Sequence, residues 1–195
     1  MKLPYKLLAF AAIASGLASA APAAVETYTI DPVHSAVGFS IRHFVSKVPG
    51  NFTQFSGTIT VDRDNLENSS VDAVVEVGSL NTFNEHRDAD VKSASYFDAM
   101  KFGTMTFKST SWKKTGDNTF DVTGNLTIKG ITKEVVLKVT SLGFGPGMRG
   151  AQLSGWEAST TLSRTVFGVT GPPGIGAVLG EDVAVAISIE ADLKK

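Results

Sequence analysis

Three histidines, His34, His43 and His86, are the side chains best suited to move a proton or hold a metal near neutral pH. Their spacing supports neither role strongly. No HxH or HExxH pattern occurs, and His34 and His43 lie nine residues apart, an odd interval that puts them on opposite faces of a strand. No metal site is expected. The chain has no Cys, so thiol nucleophiles, Fe–S clusters and cysteine-based zinc sites are excluded. A Gly-x-Ser-x-Gly elbow is also missing. The clusters Gly143-Phe144-Gly145-Pro146-Gly147 and Gly171-Pro172-Pro173-Gly174-Ile175-Gly176 lack the lysine and the strand-to-helix turn of a phosphate loop, so they read as loops. His86, Arg87, Asp88 and Asp90 form the densest charged group. They either meet a ligand head group or make a solvated helix face, with Asp88 and Lys92 four residues apart for mutual support. No catalytic residue is predicted.

The elements that would position these groups are strands. Beyond residue 25 the sequence alternates apolar and polar residues in runs broken by Gly, Asn, Asp and Pro. Eight strands are expected, at residues 35–43, 52–62, 70–78, 104–113, 119–128, 133–145, 151–163 and 182–193, with a short one near 27–31 before them. Turns fall at Val48-Pro49-Gly50, Asp64-Asn65, Gly116-Asp117-Asn118 and Lys129-Gly130. Residues 84–97 are polar, lack Gly and Pro, and set Val91, Ala94 and Phe97 at helical spacing. A short helix is expected there, between the third and fourth strands.

Strand parity carries the fold class. In the last strand Val183, Val185, Ile187, Ile189 and Ala191 share one face, and Ser188, Glu190 and Asp192 the other. Val71, Ala73, Val75 and Val77 oppose Asp72 and Glu76, and Val135, Leu137 and Val139 oppose Glu134 and Lys138. One dry and one wet face on eight strands points to an all-β protein, an antiparallel up-and-down β-barrel around one apolar interior. Such an interior is either filled by side chains or holds one small ligand, and parity alone leaves both open. Twelve Phe, Phe39, Phe55, Phe107, Phe120 and Phe144 among them, can line a slot or pack a solid core. Gly38, Gly57 and Gly124 interrupt strands where a sheet bends or something approaches the backbone closely.

The first twenty residues differ from the rest. Lys2 and Lys6 precede an apolar run from Leu7 to Leu17, and Ala18-Ser19-Ala20 offers the small residues of a cleavage site, so residues 1–20 read as a secretory signal peptide. Its removal leaves 16 basic against 19 acidic side chains in one domain, 21–195. A nucleic-acid role is not expected from that balance, nor is stable membrane insertion, because no second apolar run follows.

The motifs, taken in order, resemble the YceI-like family. They are Asp31-Pro32-Val33-His34-Ser35-Ala36-Val37-Gly38-Phe39 and Ile41-Arg42-His43-Phe44, then His86-Arg87-Asp88, residues 93–98, and Met105-Thr106-Phe107-Lys108-Ser109. Val122-Thr123-Gly124-Asn125-Leu126-Thr127-Ile128-Lys129-Gly130 and Leu162-Ser163-Arg164-Thr165-Val166-Phe167-Gly168 complete the series. The resemblance implies an exported, lipocalin-like barrel whose pore holds a polyisoprenoid or similar long-chain lipid, with an isoprenoid quinone and a cytochrome b561-type partner as further associations, and a homodimer as a plausible assembly. No other cofactor is implied. The leading expectation is therefore a periplasmic carrier without chemistry of its own. Phe39, Ile41, Phe55, Phe107, Leu126, Leu137 and Trp156 are expected to line its cavity, and His43, Arg87 and Arg164 to stand at the head-group end. Two other readings remain: an enzyme acting on an isoprenoid or quinone through His43 or His86, and a solid-cored adaptor for a membrane redox protein.

Overall fold

The computed structural model describes residues 25–194; the signal peptide expected at residues 1–20 lies outside them. Eleven strands appear among the described residues: β1 (Glu26–Ile30), β2 (Ala36–His43), β3 (Ser46–Phe52), β4 (Phe55–Val61), β5 (Ser70–Glu76), β6 (Leu80–Asn81), β7 (Thr104–Lys114), β8 (Thr119–Ile128), β9 (Ile131–Pro146), β10 (Gln152–Ser163) and β11 (Leu179–Leu193). One α-helix, α1 (Glu85–Lys92), lies between β6 and β7.

The eleven segments occupy eight wall positions. β1 and β2 share one edge of β11, with Ile30 opposite Ala191 and Ala36 opposite Ser188, so they are one strand broken at Asp31–Ser35. β4 lies beside β1 and β3 beside β2, a second broken strand. β5 pairs with β4 and β6 with β3, a third. β7 to β11 follow in chain order, every pairing is antiparallel, and the β1–β11 contact closes an eight-stranded barrel.

Where the segments differ from expectation, local chemistry explains it. Val48-Pro49-Gly50, expected as a turn, is the middle of β3, and the reversal is the two-residue turn Phe44-Val45 instead. Pro49 is tolerated because β3 pairs beyond β2 only at Asn51 and Phe52, so no neighbouring strand asks for the N–H it lacks. Pro32 breaks the first wall strand, and the break is pinned across to β11. Asp31 N–H donates to the Glu190 carbonyl (2.9 Å), and Ser35 Oγ bonds both the carbonyl (3.1 Å) and the N–H (3.0 Å) of Glu190. The helix stops at Lys92, capped by Asn84 and Ser93, so Ala94 and Phe97 lie past its end. The Asn84 side chain accepts the Arg87 N–H, and Glu85 and Asp88 suit the positive end of the helix.

One seam is incomplete. β9 and β10 pair from Pro146 opposite Gln152 to Lys138 opposite Ser159, and the pairing stops there. Over Ile131–Leu137, β9 is paired with β8 alone, and over Thr160–Ser163, β10 is paired with β11 alone.

Buried residues form two clusters, one at each end of the barrel. The first joins Tyr28, Val61, Trp112, Phe120 and Trp156 and closes one end. The second joins Phe52, Leu80, Tyr96, Met105 and Phe167 beneath α1 and the 165–178 segment.

Candidate functional site

Between the two clusters lies a cavity of about 350 Å³, within the range of roughly 300–1,000 Å³ common for small-molecule sites. Its floor is aromatic. Trp112 and Trp156 meet edge to face with ring centroids 5.5 Å apart, Phe120 packs on Trp112, and Phe144 on Trp156. Both indoles are held by hydroxyls, Trp156 Nε1 donating to Ser154 (3.1 Å) and Trp112 Nε1 to Ser109 (3.4 Å). Below them Arg63 donates to Glu26 (2.6 Å) and to the Tyr28 hydroxyl (2.7 Å), and lies over the Phe144 ring. Burial, then the bond to Glu26, raises the Tyr28 pKa and keeps the phenol neutral. Rings therefore plug one end of the barrel and leave the rest hollow.

The hollow persists because two glycines let large rings lie against the wall. Phe39 faces Gly50 across the β2–β3 pair, and a Cβ on Gly50 would run into its ring. A Cβ on Gly124 would stand 2.5 Å from the Phe107 ring. Without those side chains, Phe39 and Phe107 fold down over the neighbouring strand and stay out of the lumen.

The cavity wall includes Phe39 and Ile41 of β2, Phe55 of β4, Phe107 of β7, Leu126 of β8, Leu137 of β9 and Trp156 of β10. His43, Arg87 and Arg164, expected at the head-group end, also reach it. Sequence reasoning missed Tyr96, Phe97, Phe167 and Val169, which come from irregular segments without periodicity; an aromatic pair just past a capped helix was the available signal.

The polar groups at this end are already engaged. Arg164 is buried, 8 % exposed, and donates from Nε to Gly180 O (2.9 Å) and from Nη1 to Val169 O (2.8 Å) and Thr170 O (2.5 Å). It knits the 165–170 turn to the start of β11. Arg87 donates to Thr82 Oγ1 (2.8 Å) and O (2.6 Å), while Asp88 accepts from the N–H and hydroxyl of Thr82. Burial pushes the Asp88 pKa up, but the two Thr82 bonds and the charges of Lys92 and Arg87 outweigh it, so the net shift is down. The charged helix group thus docks α1 on β6 through Thr82, and His86 is not on the cavity wall. The His43 ring reaches the wall and meets Phe44 edge-on at 4.9 Å. Burial, and then the charge of Asp90, raises the Tyr96 pKa, against a smaller opposing effect of Arg164.

Among the described residues, one trio has the makings of a metal site: Asp31, His34 and Glu190. Its atoms serve each other instead. His34 Nδ1 lies 2.6 Å from Asp31 Oδ2 and 3.6 Å from Glu190 Oε1, on the outer surface where β1 breaks into β2.

The sequence profile of the YceI-like domain matches residues 28–191. The chain belongs to the YceI-like family. A UPF0312 protein of Pseudomonas putida strain KT2440 is 38 % identical over 181 residues, covering 90 % of this chain and 94 % of that one. Among solved structures, BcnA of Burkholderia cenocepacia superposes with a TM-score of 0.77 at 24 % identity, covering 83 % of this chain and 99 % of BcnA. A polyisoprenoid binding domain from Saccharophagus degradans gives 0.66 at 13 % identity, over 86 % and 98 % of the two chains. At those identities the two structures show a shared fold. No helix of this YceI-like chain's described residues is long and apolar enough to cross a membrane.

Proposed function

We propose that this chain binds and carries a long-chain isoprenoid lipid, tail toward the tryptophan floor and head group at the Arg164–Tyr96 end. The observation that carries the reading is the asymmetry of the cavity. Its floor and sides are hydrocarbon and aromatic rings, and His43, Arg87, Tyr96 and Arg164 gather at the opposite end. Burying a tail contributes about 0.8 kcal/mol per methylene, and micromolar affinity needs only about 8 kcal/mol net, so a tail of modest length suffices. The head group then fixes orientation. The fold shared with the Saccharophagus polyisoprenoid binding domain supports the same ligand class, and an isoprenoid quinone fits the same shape. The lysine-flanked apolar run before residue 20 supports export, and hence work in the periplasm.

The test is direct. Protein purified from its native host is extracted and the extract examined by mass spectrometry, and geranylgeraniol is titrated into delipidated protein while tryptophan emission is followed. Trp112 and Trp156, both on the cavity floor, are the only tryptophans in the chain. A co-purified prenyl lipid and a saturable change in emission are expected. An empty extract together with no emission change would remove the lipid reading.

A further inference from the structure

The end of the cavity opposite the tryptophan floor is partly covered. The segment after α1 meets the segment before β11 over the lumen: Gly171 N–H donates to Ser95 O (3.0 Å), and a Cβ at Gly171, whose φ is +75°, would collide with the Tyr96 ring. Lys129, from the β8–β9 turn, ties the two together by donating from Nζ to Tyr96 O (2.5 Å) and Gly168 O (3.1 Å). These ties form a partial roof over the lumen.

The wall is parted beside that roof. Where β9 and β10 stop pairing, a cleft of about 370 Å³ opens on the outer surface. Val135, Thr160, Leu162 and Phe167 line both this cleft and the cavity, so these residues stand between the two. The slit follows the four residues Thr160–Ser163 of β10 that pair with β11 but have no β9 partner, about 13 Å at roughly 3.3 Å per residue. It is bounded on one side by the last β9–β10 pair, Lys138 opposite Ser159, and on the other by the Lys129 tie. Ile131, Val136 and Val166 leave apolar surface around it, 37, 40 and 48 % exposed.

Resting on the ligand reading above, we infer that this slit is the lateral portal through which the lipid enters and leaves. The two strands keep a common register across it: extended by one and two residues, the pairing would set Leu137 against Thr160 and Val136 against Thr161. The facing backbone edges can zip shut or part without any other wall pairing being lost, which is what a gate requires. A tail sliding in sideways keeps apolar contact throughout, first with Val136 and Val166 and then with Val135 and Leu162. The floor and roof need not open.

The natural chain has no Cys, so a single introduced thiol can be blocked cleanly. Val136→Cys is compared before and after alkylation with a bulky maleimide, with Glu157→Cys over the fully paired part of the wall and Phe44→Cys at the β2–β3 tip as the other sites. Uptake of geranylgeraniol from detergent micelles is timed by stopped-flow tryptophan emission. Alkylation at Val136→Cys is expected to slow uptake tenfold or more and to leave the bound amount at equilibrium unchanged, and alkylation at Glu157→Cys to leave both unchanged. Lys129→Met, which unties the roof from the slit, is expected to speed release. Thr161→Cys, on the opposite lip, serves if Val136→Cys does not fold. Unchanged uptake after alkylation on the slit, or slowing only from Phe44→Cys, overturns the portal while leaving the ligand intact. Unmodified protein that takes up no geranylgeraniol overturns the ligand reading and the portal with it.

Discussion

Gly124 and Phe107 show how one missing methyl group keeps a barrel hollow. Gly124→Val would place branched carbons where the Phe107 ring now lies, and the ring's remaining option is the lumen. The expected result is at least a tenfold loss of geranylgeraniol affinity with the β-sheet circular dichroism signal retained; unchanged affinity would mean that the ring does not guard the space. His34 and Asp31 provide a second single-residue effect, of electrostatic origin. The Asp31 hydrogen bond, with the charges of Asp31 and Glu190, raises the His34 pKa above its ordinary 6.5, and the His34 bond, helped by the Val33 N–H, lowers that of Asp31 below 3.8. The histidine contribution is complete below 6.5 and fades as pH rises through the raised folded value. The aspartate contribution is complete above 3.8 and fades as pH falls through the lowered one. The staple across the β1–β2 break is thus strongest between those values. Hydrogen-exchange protection at Asp31, corrected for intrinsic rates, should fall from pH 6 to pH 8 and lose that dependence in His34→Gln. The side chain of His34 is 61 % exposed, so salt should weaken the effect.

Among the elements, α1 is held by few groups and is the easiest to loosen. It has no fully buried residue of its own, and its attachment rests on Val91 against the second cluster, on the Asn84 cap and on Arg87 and Asp88 gripping Thr82. Asn84→Ala should cost about 0.5–2 kcal/mol, and the loss should appear mainly as faster amide exchange in 85–92, with the barrel strands unaffected. Strand faces were legible in the sequence because period-two alternation depends only on which side is wet, and that pattern sets Phe39, Ile41, Leu137 and Val185 on the cavity wall. The breaks were not legible. β3 hides behind Pro49-Gly50, a pair that usually turns the chain, and β6 is two residues long. Tyr96, Phe167 and Val169 reach the cavity through segments whose path is set by a distant partner, Lys129, bonded to Tyr96 O and Gly168 O, and no local pattern encodes such a partner. The parting of β9 from β10 was equally hidden, because Val135, Leu137 and Leu162 keep perfect alternation on both sides of it.

At the scale of the molecule, ligand and fold should be thermodynamically linked. A lipid that binds only the closed barrel stabilises it by about 2.7 kcal/mol when free ligand is a hundred times Kd. Tm should therefore climb with geranylgeraniol concentration, and a scan series showing no such climb would contradict binding in the lumen. With no disulfide available, the barrel's resistance to unfolding depends on its two clusters and its wall pairings, so delipidated protein should be measurably easier to unfold.

The tryptophan plug has a consequence for traffic. A vessel sealed at its base by Trp112, Trp156 and the Arg63–Tyr28 group cannot act as a conduit from one compartment face to another. Under the lipid reading proposed above, donor and acceptor would have to visit the same doorway in turn, and the protein would work as a ferry that docks, departs and docks again.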